Sequence, residues 1–156
     1  MTMANLLENG DFSSGELAPW IAVSEETCSI KEEDGKYFVQ LNTGGSVSQS
    51  LGGETYKFST LTFDVRAGEP VKPDETVLFV CGVYFTTPDG PDGNLRLSGA
   101  PKEWREITLN IDTKSSPVSL VKVFFETGLA FNASQNFVIS EETKTGTVHF
   151  RNFRLI

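Results

Sequence analysis

Apolar and polar residues alternate over short stretches of this sequence, the pattern expected of strands with one buried face. The alternation is clearest in 47–51, 61–67 and 104–111. Residues 76–87 are apolar on both faces, which predicts an internal strand that is covered on each side. No window of ten or more residues carries apolar positions at helical spacing, so the pattern predicts an all-β chain.

Shorter or less regular strand patterns cover 23–30, 37–41, 120–126 and 147–156. Residues 88–94 are rich in Pro, Asp and Gly, which predicts a long turn, while 128–144 has no assignable pattern. Roughly eight to ten short strands with turn-rich connections predict a two-sheet antiparallel β-sandwich of the jelly-roll kind. The length of 156 residues predicts one domain, 1–156.

The charge and composition narrow the classes of partner. A net charge of −8 argues against nucleic acid and anionic membrane surfaces. No apolar run approaches the ~20 residues that span a bilayer, so membrane insertion is not expected. The N-terminus has no signal-peptide pattern, which leaves a cytoplasmic default, a signal removed from the chain, or another export route.

The two cysteines, Cys28 and Cys81, are predicted to be free thiols, although spacing alone does not exclude one disulfide. Cys81 lies in an apolar run, which indicates a small buried hydrophobe.

Catalytic patterns are weak. The single histidine, His149, has no nucleophile-elbow glycine pattern near any serine. Acidic residues are numerous, but they fall mostly in stretches typical of solvated surface. The sequence therefore predicts a protein that is not an enzyme.

The opening residues 5–15 contain an apolar pair and the turn dipeptide Asn9-Gly10, followed by Phe12 and then Trp20. They indicate a short first strand and a tight corner pinned by aromatic groups. Further stretches that carry the resemblance described next are 47–51, 56–59, 63–67, 104–109 and 149–155. Together these stretches resemble β-sandwich carbohydrate-binding modules of the superfamily around families four, nine, sixteen and twenty-two, which have a galactose-binding-like jelly roll.

The resemblance implies a non-catalytic, lectin-like domain that binds a poly- or oligosaccharide on a concave sheet face. It also implies that Trp20, Tyr56 and Trp104 are packing residues, and we expect all three in the core. Aromatic rings would stack on sugar C–H faces and planar polar groups would hydrogen-bond to hydroxyls. The strand faces suggest a surface around Arg66, Tyr84 and Gln49, and the full set of candidate ligand-binding residues is Gln49, Asp64, Arg66, Tyr84, Asn94, Arg96 and Lys122.

Each candidate also has a purely structural interpretation. Tyr84 is equally compatible with a half-buried sheet position. Asp64 and Arg66 lie two residues apart on one strand face, so they are able to pair with each other or with neighbours. Phe85 and Phe124 are expected in the core.

Many members of the family hold a structural calcium through an acidic residue after the opening phenylalanine and an aspartate pair in the last strand. This chain has Ser13 and Arg151-Asn152 at those places. Calcium prefers several oxygen ligands, so we predict no cofactor. Asp11 and Asn152, helped by Glu8, are the remaining candidate metal ligands.

Two alternative functions stay open. The sandwich is also suited to a structural or interaction subunit of a secreted or toxin-like bacterial assembly that binds a protein partner, and more weakly to a glycoside hydrolase. A groove that holds Tyr84 beside Arg66 favours sugar, whereas a contiguous apolar patch at a sheet edge favours a protein. Two carboxyls facing each other across a cleft, one with a raised pKa, favour hydrolysis.

Overall fold

The computed structural model describes residues 5–23, 25–42, 44–68, 76–113, 116–132, 135–139 and 147–156. Within these ranges the chain forms eleven strands, one 3₁₀ turn at Glu25–Thr27 and no α-helix. In chain order the strands are β1 (Ile21–Ala22), β2 (Cys28–Glu33), β3 (Lys36–Leu41), β4 (Ser46–Ser50), β5 (Thr60–Ala67), β6 (Thr76–Thr87), β7 (Gly90–Gly99), β8 (Arg105–Asn110), β9 (Ser119–Asn132), β10 (Gln135–Ile139) and β11 (Val148–Leu155).

Two antiparallel sheets are formed by these strands. Sheet A has the order β1-β4-β9-β6-β7, with β10 beside β9, and sheet B has the order β2-β3-β11-β5-β8. The predicted all-β, two-sheet antiparallel sandwich is therefore confirmed. None of the described residues belongs to a helix long and apolar enough to cross a membrane.

Alternate residues of both sheets fill the space between them. On β5, Leu61, Phe63 and Val65 are fully buried, as the alternation predicts. The Phe63 ring meets the rings of Phe79 and Phe125 in sheet A edge-on, at centroid distances of 5.9 and 4.9 Å. Edge-to-face contacts of this kind stabilise an aromatic core beyond simple burial. The other side of each sheet, called its outer face below, is left for solvent or ligand.

Most predicted strands are present, but the long turn predicted at 88–94 is wrong. The turn is short, because Thr87 already pairs with Gly90, and β7 continues from there along β6. Gly90, Pro91 and Gly93 are tolerated because β7 is the edge strand of sheet A, where one row of backbone groups needs no hydrogen-bond partner in the sheet. The predicted strand at 23–30 is also displaced, since β2 begins at Cys28 after the 3₁₀ turn.

The opening segment does not form the predicted first strand. It lies beside the second half of β11, where only single backbone bonds form, from Leu6 N to Leu155 O and from Phe153 N to Gly10 O. Asn5 supplies the other contacts, accepting from the backbone N–H of Leu155 and donating to the Phe153 carbonyl. Side-chain amides thus replace a strand ladder here.

Both thiols are free. Burial raises the pKa of Cys28 to about 11 and that of Cys81 to about 12, the latter against the opposing effect of the nearby Arg96. Neither thiol is a reactive group near neutral pH.

Candidate functional site

The outer face of sheet B carries a network centred on Arg66. Its guanidinium donates two hydrogen bonds to the Glu33 carboxylate, at 2.9 and 2.7 Å, and these bonds hold the pKa of Glu33 below its usual range. Arg66 Nε donates to His149 Nδ1 at 2.9 Å. The five donors of Arg66 are thus directed mainly at the protein itself.

His149 is fixed as a neutral ring. Because Nδ1 accepts from Arg66, the ring proton lies on Nε2, which faces Gln40 Oε1 at 3.1 Å. Burial and the Arg66 charge lower the pKa of His149 to about 4, although Glu33 acts in the opposite direction. No described nucleophile is hydrogen-bonded to this ring, so its position is that of a structural group.

Trp104 contacts two guanidinium groups. The carbon Cζ of Arg151 is 3.9 Å from the centroid of the indole and that of Arg66 is 4.5 Å away. Phe38 meets the indole edge-on at 5.7 Å. The shielded indole Nε1–H contributes to the low pKa of Glu33 but does not reach hydrogen-bond geometry with any described group. Trp104 therefore covers the outer face of sheet B and is not in the core, contrary to the prediction.

Asp64 is paired with its neighbours on β11. Its Oδ2 accepts from Asn152 Nδ2 at 2.7 Å and from Arg151 Nε at 3.4 Å. At the rim of the same face, Arg154 pairs with Glu106 at 3.0 Å. The structural interpretation of Asp64 and Arg66, pairing with neighbours, is the one that the structure supports.

Asp11 and Asn152 line one pocket of about 620 Å³, together with Asp64 and Glu106. This pocket does not fit a hard cation well. Asn152 presents its amide nitrogen to Asp64, and cationic groups already neutralise Asp64 and Glu106. Among the described residues, no cluster of three His, Cys, Asp or Glu has the proximity that a metal needs. The absence of a cofactor stays a prediction.

The outer face of sheet A has a different character. Tyr84 projects from β6 and is 49 % exposed. Its ring stacks on that of Phe124 in β9, with a centroid distance of 4.8 Å and an interplanar angle of 15°. Lys122 lies directly opposite Tyr84 in the β6–β9 register. Lys122 and Glu126 are exposed and have no ion-pair partner in the part of the chain that the structure describes.

Small polar residues and aliphatic residues surround this aromatic pair. One cross-strand row runs from Ile21 through Ser48, Phe124 and Gly82 to Leu95. Ile21 and Leu95 are 67 % and 54 % exposed. Strand β4 presents only serines on this face, at 46, 48 and 50, between the larger side chains of β1 and β9. The serines thus form a row of hydroxyl groups beside the aromatic pair.

Gln49 is not part of either surface. It is 3 % exposed and faces the interior, where its amide accepts from the backbone N–H of Glu8 and donates to the Glu8 carbonyl, both at 2.9 Å. Both hydrogen-bonding groups of the side chain are used to hold the opening segment against β4. This placement removes Gln49 from the candidate binding surface.

Asn94 and Arg96 lie on the opposite side of β7 from Leu95, because they pair with the inward positions Val83 and Cys81. Asn94 donates to the carbonyl of Asn110 at 3.1 Å and so links the edges of the two sheets. Arg96 is exposed at the same edge. Neither residue shares a face with Tyr84.

The expectation of one surface around Arg66, Tyr84 and Gln49 is therefore wrong. Arg66 lies on the outer face of sheet B, Tyr84 on that of sheet A, and Gln49 between the sheets. Of the predicted ligand-binding residues, only Tyr84 and Lys122 are brought together. The groove with Tyr84 beside Arg66, expected of a sugar site, is not formed.

Sequence reasoning missed Phe124 and the serines of β4 as parts of a candidate surface. The signal was available for Phe124, since it alternates with Val123 and Phe125, which are buried on the inner face. Its apolar character favoured a core assignment. The outward position of Leu95 was hidden because 88–94 was interpreted as a turn.

Comparisons with known proteins bear on the fold. No protein-family model matches the sequence, and no curated protein is significantly similar to it. A family 61 carbohydrate-binding module solved with β-1,4-galactotriose has a TM-score of 0.67 and 15% identity, covering 99% of each chain. A family 16 carbohydrate-binding module has a TM-score of 0.63 and 12% identity, covering 97% of this chain and 99% of its own.

A third similar structure is the enzymatically active domain of tailspike protein 4 from bacteriophage CBA120. It has a TM-score of 0.59 and 12% identity over 97% of this chain, but only 21% of the tailspike chain is covered. Modules of families 4, 11 and 22 also share the fold. At these identities the likeness establishes the fold alone. The chain thus has the β-sandwich fold of carbohydrate-binding modules, as the sequence resemblance implied.

Proposed function

We propose that this protein is a non-catalytic carbohydrate-binding domain whose ligand lies on the outer face of sheet A. The observation that carries the proposal is Tyr84, which is 49 % exposed, stacked on Phe124 and opposite the unpaired Lys122. A half-exposed ring offers an apolar face for sugar C–H groups. Lys122, Glu126 and the serines of β4 supply donors and acceptors for hydroxyls. The sugar-bound state of the similar family 61 module supports the same class of ligand.

The geometry favours a single polysaccharide chain or a short oligosaccharide. One exposed ring provides one stacking platform, whereas a flat insoluble surface would need several rings in one plane. The row of serines on β4, from residue 46 to residue 50, spans four residue steps, roughly 13 Å at the rise of an extended strand. This length suits a short segment of one sugar chain.

A non-catalytic role is supported by how the titratable groups are used. His149 is held by Arg66 and faces Gln40. In the pocket at Asp11, the carboxylates of Asp64 and Glu106 are paired with arginines. No two unpartnered carboxylates therefore face each other there, as a glycosidase would need.

The test is a titration of soluble oligosaccharides, beginning with β-1,4-galactotriose and the β-1,3-1,4-mixed-linked tetrasaccharide that was solved with a similar family 11 module. A wider glycan array would follow. We expect Tyr84→Ala to weaken binding at least about ten-fold at unchanged melting temperature, since stacking on an aromatic ring is the main apolar contact. Tyr84→Phe should retain most of the affinity.

Arg66→Ala is the matched control on the other sheet and should leave affinity unchanged. Binding that depends on Arg66 and not on Tyr84 would move the site to sheet B. The absence of binding to any glycan would refute the proposal, and the exposed apolar side chains of this face would then point to a protein partner.

A further inference from the structure

Two glycines lie beneath the aromatic pair on the outer face of sheet A. A Cβ atom on Gly82 would stand 2.7 Å from Cζ of Phe124, and one on Gly93 would stand 2.8 Å from Cδ1 of Tyr84. Both distances are shorter than van der Waals contact allows. Phe124 therefore leans from β9 across β6, and Tyr84 leans from β6 across β7. Each ring occupies space that a glycine on the neighbouring strand leaves open.

Phe124 packs between Gly82 and the ring of Tyr84. Although it projects from the outer face, it is only 6 % exposed, and it is nearly parallel to the Tyr84 ring. The stack covers one face of Tyr84. Tyr84 is nevertheless 49 % exposed, so a ligand would contact the ring away from Phe124.

We infer that Phe124, Gly82 and Gly93 position Tyr84 for ligand binding without touching the ligand themselves. This inference rests on the proposed function. A tyrosine free to change χ1 would lose rotamer freedom on binding a sugar, and that loss would weaken affinity. The stack with Phe124 and the space left by the two glycines hold the Tyr84 ring in one orientation before a ligand binds. Phe124 is thus a positioning residue, and its planar shape matters more than its hydrophobicity.

The experiment compares Phe124→Leu, Phe124→Tyr and Gly93→Ala with the native chain, using β-1,4-galactotriose and the mixed-linked tetrasaccharide as probes. Phe124→Leu keeps an apolar side chain but removes the planar partner, and we expect about five- to ten-fold weaker binding. Gly93→Ala should have at least a similar effect, because its Cβ would meet the Tyr84 ring and, at 2.9 Å, the backbone oxygen of Val83. Phe124→Tyr restores the stack and should restore affinity, which a general loss of packing would not explain.

A second measurement is independent of any ligand. Three-bond couplings give the χ1 populations of Tyr84, and we expect one dominant rotamer in the native chain and in Phe124→Tyr, but averaging in Phe124→Leu. Native-like couplings and affinity in Phe124→Leu and Gly93→Ala, together with lost affinity in Tyr84→Ala, would overturn the positioning role and leave the proposed function standing. Unchanged affinity in Tyr84→Ala would instead refute the proposed site. If neither probe binds, the couplings alone decide whether the ring is held.

Discussion

On the outer face of sheet B the three arginines Arg66, Arg151 and Arg154 are each paired with a carboxylate, and the aromatic group Trp104 contacts two of them. On the outer face of sheet A the aromatic group Tyr84 is half exposed, and the charges of Lys122 and Glu126 have no ion-pair partner among the described residues. Both faces contain aromatic rings beside charged groups. They differ in whether those groups already satisfy one another.

In the proposed function, this difference separates a structural surface from a binding surface. A guanidinium that already makes its hydrogen bonds would have to break them to bind a ligand, so its net gain is small. An exposed ring and unpaired polar groups release only bound water when a ligand binds, and they break no hydrogen bonds within the protein. Residue types that suit sugar recognition are therefore poor guides to the site until their partners are known.

Removing Trp104 tests the structural role of sheet B and should have the largest effect on stability. Trp104→Ala loses the contacts with Arg66, Arg151 and Phe38, and we expect it to lower the free energy of unfolding by about 2–3 kcal/mol. The melting temperature should fall by roughly 5–10 °C for a domain of this size. Urea unfolding and calorimetry measure both quantities.

Sugar affinity should be unchanged in Trp104→Ala when it is measured well below the melting temperature. Tyr84→Ala should show the reverse pattern, with lost affinity and retained stability. If Trp104→Ala were as stable as the native chain, the network on sheet B would not be structural.

Acid should weaken the same network through His149. Its pKa is lowered to about 4 in the folded chain from an ordinary value of 6.5, so the unfolded chain binds the extra proton first. Stability is therefore full above about pH 6.5 and declines as the pH falls towards 4. Because part of the ring is exposed to solvent, we expect the free energy of unfolding to fall by about 2 kcal/mol between pH 6.5 and 4.

The low pKa of Glu33 adds a further loss at lower pH, because its protonation removes the acceptor of Arg66. Urea unfolding at pH 7 and pH 4.5 checks the slope. The variant His149→Gln should flatten the decline between pH 6.5 and 4, whereas Tyr84→Ala should keep it. An unchanged slope in His149→Gln would show that other groups control acid stability.

The sequence predicted faces within strands better than it predicted which strands share a sheet. Alternation correctly places Tyr84 and Phe85 on opposite faces of β6. It also puts Gln49 on the same face of β4 as the buried Val47, although we predicted Gln49 as a binding residue. It gave no sign that β5 and β6, which are consecutive in the chain, belong to different sheets. Arg66 and Tyr84 were separated for that reason, since sheet membership depends on contacts between distant parts of the chain.

Strand β7 shows a second limit of sequence reasoning. Its first residues have the composition of a turn, and only the position at the edge of sheet A, beside β6, makes them a strand. The sequence signal for its role lies in Gly93, whose missing side chain makes room for Tyr84. That signal has meaning only when the register between β6 and β7 is known.

Within the outer face of sheet A, Lys122 should contribute less to binding than Tyr84. Its ammonium is exposed and strongly hydrated, so we expect Lys122→Ala to weaken sugar binding by roughly two- to five-fold, the range of exposed charged contacts. Titrations at low and high salt measure this contribution.

Lys31→Ala is the matched control, because Lys31 is an exposed lysine on β2 of sheet B. It should not change affinity. An equal effect of the two variants would indicate a general effect of net charge and would remove Lys122 from the site.

Metal removal should have the smallest effect of all. In the pocket that contains Asp11 and Asn152, Asp64 already receives hydrogen bonds from Asn152 and Arg151. Hydrogen bonds of Asn5 and Gln49 hold the opening segment. We therefore expect EDTA or added calcium to shift the melting temperature by less than about 1 °C, since a ligand stabilises only a state that binds it.

Asp11→Asn is the control and should behave like the native chain with either additive. A calcium-dependent rise of several degrees that Asp11→Asn abolishes would show that this rim of sheet B binds a metal.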